Sequence, residues 1–149
     1  MIQKSDSGYS IIELVIVGAL VAILSSFAIP QIRQSLDDYR LVSSSRIVAS
    51  ELNVGRALAI SRNWTFAADF DTTDRTVQII DPDTSSNNPR IPQTMEGGIT
   101  FSSTPSPDIQ FLSRGQSSGG AVVLTNAGGS TVIVTVTASG KVEIGDFVP

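Results

Sequence analysis

The sequence predicts an α+β chain in which one long N-terminal helix packs on a C-terminal antiparallel β domain. Three observations predict it. From Tyr9 to Ile29 the chain is predominantly apolar, and Glu13 is its only charge. From Gln31 to about Arg62 no further proline occurs and apolar residues keep helical spacing. After Asn63 the period shortens to two, and Gly, Asn and Pro break the chain at short intervals.

Composition narrows the chemistry before any motif is considered. The chain has 149 residues, enough for one domain and an appendage. It holds neither cysteine nor histidine. The commonest general base and the commonest metal ligand are therefore missing, and with them hydrolytic triads, zinc sites and haem ligation by His. A net charge of −4 gives no basic face for phosphates. No Ser or Thr has a base beside it in sequence and no Walker-type glycine loop occurs. An enzyme is the least supported class.

The segment Tyr9–Ile29 covers roughly 30 Å at about 1.5 Å per residue, enough to cross a bilayer's hydrocarbon core. Its Ile, Leu, Val and Ala lie all around the helix, as lipid requires. Glu13 is the anomaly, since a carboxylate within an apolar span is costly and by default marks function. One reading places it near enough to the membrane edge to reach headgroups. Another begins at Gly8: a cut there would leave an α-amino group on Tyr9, one helical turn before Glu13. The acid would then gain a cationic partner in the same or a neighbouring chain.

The stretch Gly8-Tyr9-Ser10-Ile11-Ile12-Glu13-Leu14 resembles the signal of type IV prepilins and of the pseudopilins of type II secretion. The resemblance implies a type IV pilin-like fold. It implies cleavage after Gly8 on the cytoplasmic side by a prepilin peptidase, which also N-methylates the new terminus at Tyr9. It also implies that Glu13 neutralises the terminus of an adjacent subunit during assembly, and that Pro30 kinks the helix. The family usually has Phe where Tyr9 stands, and the leader carries Asp6 as well as Lys4. The partners implied are other pilin or pseudopilin subunits, the peptidase, an inner-membrane assembly platform and, before assembly, membrane lipid. The rival is an ordinary secretory signal peptide cut at Ser26-Phe27-Ala28, which would release a soluble β binding module.

The expected organisation is a leader over 1–8, a transmembrane and assembly helix over 9–30, its amphipathic continuation over 31–63, and an extracytoplasmic β-rich domain over 64–149. In the continuation, Ile32, Leu36 and Tyr39 mark one face, with Ile47, Val54 and Leu58 near it. Leu41, Val48, Leu52 and Ala59 mark a face roughly opposite. The pattern fits a helix with two buried sides, or one broad core stripe with slack ends. The charges Arg33, Asp37, Asp38, Arg40 and Arg46 are expected on a solvated face or in interface pairs.

Beyond the helix, Trp64–Phe70 and Thr76–Ile80 flank a polar turn and predict a hairpin. A polar loop with three prolines runs from Asp81 to Gln93. Strands are expected at Ile99–Phe101, Ile109–Leu112, Ala121–Thr125, Thr131–Thr137 and Lys141–Ile144, with Gly119-Gly120 and Asn126-Ala127-Gly128-Gly129 as turns.

Three stretches of this tail resemble minor pseudopilins and pilins of the GspH/FimT type. They are Gly55-Arg56-Ala57-Leu58-Ala59-Ile60-Ser61-Arg62-Asn63, Ile109-Gln110-Phe111-Leu112-Ser113-Arg114-Gly115 and Ala138-Ser139-Gly140-Lys141-Val142. The family usually has Ala where Gly55 stands, and Ser-Glu where Ala57-Leu58 stand. Some relatives bind calcium, which makes Asp81 and Asp83 candidate ligands, although their spacing matches no EF-hand and Asp is also a turn residue. No other cofactor is expected. Some similar minor pilins bind DNA through a basic C-terminal region. Here Arg114 and Lys141 are the only cations after Gly98, against Asp108, Glu143 and Asp146, so a nucleic-acid partner is not expected.

Overall fold

The computed structural model describes residues 9–84, 89–106 and 108–149. The expected leader and Gly8 lie outside the described residues, as do 85–88 of the polar loop and Pro107. By its internal contacts the chain divides into two units, one ending at Ser35 and the other running from Leu36 to Pro149.

Helix α1 covers Ile11–Arg62, with Pro30 inside it. Its first turn forms on the Ser10 carbonyl, which accepts the N–H groups of Glu13 at 3.0 Å and Leu14 at 3.2 Å. Asn63 ends it, in the left-handed region at φ 50°. The Trp64 N–H returns to the Ala59 carbonyl at 3.2 Å and the Asn63 N–H to that of Ile60 at 3.4 Å. This is a Schellman arrangement with Asn in the place glycine usually takes. Because Trp64 serves the cap, the first strand starts two residues later than expected.

Among its described residues the second unit holds eight short strands, β1 Phe66–Asp71, β2 Thr76–Ile80, β3 Gln93–Thr94, β4 Thr100–Ser103, β5 Ile109–Phe111, β6 Gly120–Thr125, β7 Thr131–Val136 and β8 Val142–Ile144. They form two four-stranded sheets, ordered β3-β2-β1-β5 and β4-β6-β7-β8. Every pairing is antiparallel. The β1–β2 hairpin turns on Asp71, whose Oδ1 accepts the N–H groups of Thr73 and Asp74 at 2.7 and 2.9 Å. Strand β3 was not expected, since two residues after Pro92 carry no period. Leu112 and Thr137, expected in strands, instead open turns closed by Leu112 N–H to Gln116 O at 2.8 Å and Thr137 N–H to Lys141 O at 2.9 Å.

Both sheets and the helix from Leu41 onward share one core. Leu41, Val48, Leu52 and Ala59 are fully buried, as their spacing predicts. They pack with Val77, Ile79 and Phe111 of the first sheet and Val122, Leu124, Val132 and Val134 of the second. Phe70 meets Phe101 edge to face at 5.7 Å between ring centres. Each such side chain removed from water contributes about 2 kcal/mol. Leu36 and Tyr39 stay exposed, while Ile47 and Leu58 are partly buried against the core. The buried stripe is thus broader than one seam, and the Leu36–Tyr39 side is left uncovered.

Candidate functional site

The first unit presents the apolar half of α1. From Ile11 to Ile32 every large apolar side chain is at least half exposed. Among the described residues this is the one segment long and apolar enough to cross a membrane. Glu13 stands in its first turn, where the amide dipoles favour a negative charge. Tyr9 is 82% exposed beside it. An uncovered apolar surface of this size is costly in water and needs either lipid or the helices of other chains.

In the second unit, the helix is fastened to the sheets at two points that sequence reasoning did not single out. Arg56 is the first. Its Nε donates to the Gly115 carbonyl at 2.9 Å and its Nη2 to the Ser139 carbonyl at 3.3 Å. Gly115 lies in the turn after β5 and Ser139 in the turn between β7 and β8, so one guanidinium ties the helix to both sheets. The three stretches that resemble the GspH/FimT type converge here. Gly115 and Gly140 have φ of 80° and 78°. A methyl group on Gly140 would overlap the Gly115 carbonyl oxygen and stand 2.8 Å from Arg56 Nε. Gly55, one residue before Arg56, faces Ile79 so closely that a Cβ would lie 2.8 Å from its Cδ1. The glycine thus lets the helix settle onto the first sheet.

Asp38 is the second fastening point. Its Oδ1 accepts from Asn126 Nδ2 at 2.9 Å and Ser130 Oγ at 3.1 Å, both in the β6–β7 turn and both buried side chains. Asp38 and Arg56 are 18 residues apart, about 27 Å along a helix. That is enough to span β7 and the turns at its two ends. Of the helix charges expected on a solvated face, Asp37 and Arg40 do pair there, whereas Asp38 is structural.

Asp81 and Asp83, the calcium candidates, share one turn. Asp81 Oδ1 accepts the Asp83 N–H at 3.0 Å and Trp64 Nε1 at 3.3 Å, so it closes its own turn. Among the described residues no group of three or more acidic side chains is assembled to hold a metal ion. Asp108 sits beside the β1–β5 pairing. Partial burial, then the negative charge of Asp69, raises its carboxyl above the usual range.

One long helix packed on two antiparallel sheets is a pilin-like α+β arrangement. The comparisons with known proteins agree. The solved minor pseudopilin EpsH from the type 2 secretion system of Vibrio cholerae is 17% identical, with a TM-score of 0.58 over 71% of this chain and 96% of that one. The type IV minor pilin FimU of Pseudomonas aeruginosa is 12% identical, with a TM-score of 0.60 over 71% and 88%. No curated protein matches significantly. The family model described as type II transport protein GspH matches residues 45–140, more than half of the sequence. This chain belongs to the GspH family.

Proposed function

We propose that this protein is a minor subunit of a type II secretion pseudopilus or a type IV pilus, stored in the inner membrane by α1 and drawn from it into the filament. The observation that carries the reading is the exposed apolar half of α1 with Glu13 as its single charge. In this reading residues 1–8 are a leader removed by the prepilin peptidase, and the amino group of Tyr9, then methylated, leads the helix. Residues 9–30 span the bilayer with the N-terminus cytoplasmic, and 64–149 face the periplasm.

Glu13 gives the helix its register in the filament. Pairing with the amino terminus of an adjacent subunit offsets the cost of holding the acid among apolar helices. Pro30 has no N–H to give the Ser26 carbonyl, so the helix bends there most easily. Extraction from lipid exposes surface that only neighbouring subunits cover, so assembly needs an inner-membrane platform to drive it.

The test is the intact mass and N-terminal sequence of the protein expressed beside a prepilin peptidase. A mature chain starting at Tyr9 and heavier by one methyl group is expected. A chain starting near Ile29 would replace this reading with a secreted β module. The variant Glu13→Ala is expected to be cut normally and to be absent from isolated filaments.

A further inference from the structure

A pull that arrives along α1 from its apolar half meets the second unit first at Asp38. Of residues 36–40, Leu36 and Tyr39 are exposed, and Asp37 pairs with Arg40 on the same helix. The first buried apolar side chain is Leu41. Among the described residues, Asp38 is thus the one member of 36–40 whose side chain bonds to the β domain, through Asn126 Nδ2 at 2.9 Å and Ser130 Oγ at 3.1 Å. The buried Glu51, which accepts Arg90 Nε and Nη2 at 3.0 and 2.8 Å, and Arg56 come later along the helix.

The turn that receives this load is closed on itself. The Asn126 N–H donates to the Ser130 carbonyl at 3.1 Å, the Gly129 N–H to the Asn126 carbonyl at 3.1 Å, and the Ser130 N–H to Asn126 Oδ1 at 2.9 Å. Displacing Ser130 therefore displaces β6 and β7 together, the two inner strands of their sheet. Thr131, next in the chain, exchanges bonds of 2.7 and 3.0 Å with Val148, so the same corner also holds the segment after β8. Hydrogen bonds are directional and weaken steeply on displacement, whereas apolar burial is non-directional. Asp38 thus resists a sliding or peeling helix from the start of the movement, before the apolar contacts of Leu41 and Val48 respond.

We propose that Asp38 and the β6–β7 turn form a load-bearing clamp, which passes tension on α1 into the centre of the second sheet and is the first contact to break when the chain is drawn by its helix. The filament reading above supplies the pull, since a subunit extracted from lipid by its helix drags its β domain after it. The clamp makes one kinetic demand. Its bonds are already broken in the transition state for unfolding from the Asp38 end, and still intact in that for unfolding from the Arg56 end. Removing them therefore speeds only the first.

The test holds single full-length chains in detergent micelles at constant force, by DNA handles on introduced cysteines, since the chain has none of its own. One handle sits at the exposed Ile133 of β7. The other sits at the exposed Gln34 or, for the opposite end of the helix, at the exposed Ser61. Asp38→Ala should shorten the unfolding lifetime about tenfold with the Gln34 handle and less than about twofold with the Ser61 handle. Arg56→Ala should give the reverse pattern. Ser130→Ala, which leaves the Asn126 bond in place, should show the Asp38→Ala asymmetry at about threefold, and it decides the matter if Asp38→Ala does not fold. The clamp is overturned if losing these bonds shortens both lifetimes alike, only the Ser61 lifetime, or neither. The filament reading survives each of those results. A mature chain that starts near Ile29 would remove the pull and leave the asymmetry to be measured.

Discussion

The Arg56 fastening point predicts that Gly140→Ala is far more damaging than an alanine at another glycine of the same conformation. Gly129 is the control: its φ is 90°, against 78° at Gly140, and a Cβ there meets nothing within 4 Å. Both substitutions force alanine into the left-handed region, at about 1–2 kcal/mol. Reduced freedom of the unfolded chain returns about 0.5 kcal/mol of that. Only at Gly140 does the new methyl overlap the Gly115 carbonyl and press within 2.8 Å of Arg56 Nε. One of them must move, and the 2.9 Å bond between them is then lost. A hydrogen bond to a charged donor contributes about 1.5–3 kcal/mol. The expected totals are about 1 kcal/mol for Gly129→Ala and about 3 kcal/mol for Gly140→Ala.

The assay is urea unfolding of the fragment 36–149, which retains every buried core side chain, followed by the fluorescence of its single tryptophan, Trp64. At a slope of about 2 kcal/mol per molar urea, the midpoint should fall by about 0.5 M and about 1.5 M respectively. In an Arg56→Ala background part of the Gly140→Ala cost should disappear, giving a coupling of about 1 kcal/mol or more. Equal midpoints for the two glycine variants would refute the reasoning, because they would mean the turn relaxes freely away from the helix.

Other consequences follow from the same packing. Gly55→Ala is expected to cost about 1–2 kcal/mol in urea unfolding despite alanine's better helix propensity, and Ile79→Val, which removes the opposing Cδ1, should relieve it. At the helix end, Asn63→Gly should leave stability within about 0.5 kcal/mol while Asn63→Ala costs about 1 kcal/mol, because that residue must hold a positive φ. Asp108 supplies a pH dependence. Its folded carboxyl titrates above the usual 3.8, so its contribution to stability is complete below that value and is lost as pH rises through the raised one. Asp108→Asn should therefore unfold later than the parent at pH 7, by about 0.5 kcal/mol or less, and the difference should vanish near pH 3. Asp38→Ala, which strips Asn126 and Ser130 of their shared acceptor, should cost about 1–2 kcal/mol by the same measurement.

Much of the fold was legible because it depends on short-range pattern. The seven- and four-residue spacing of Leu41, Val48, Leu52 and Ala59 identified the buried side of the helix, and all four are fully buried. Alternation and turn residues placed seven of the eight strands, and the prediction missed only β3, too short to have a period. The candidate site was legible in part. Glu13 stood out because charge is rare in an apolar run, whereas Arg56, Asp38 and Glu51 looked like ordinary helix charges. The one available signal was the set of three stretches that resemble the GspH/FimT type, whose glycines meet at Arg56.

The sequence alone thus determined all the elements but β3, the apolar half of the helix and its lone acid, since each follows from residues a few positions apart. Only the tertiary structure decided the two strand orders, the meeting of Arg56 with carbonyls 59 and 83 residues away, and the burial of Glu51 against Arg90. Those outcomes depend on which distant surfaces fit one another, and no local period of hydrophobicity or charge encodes that fit.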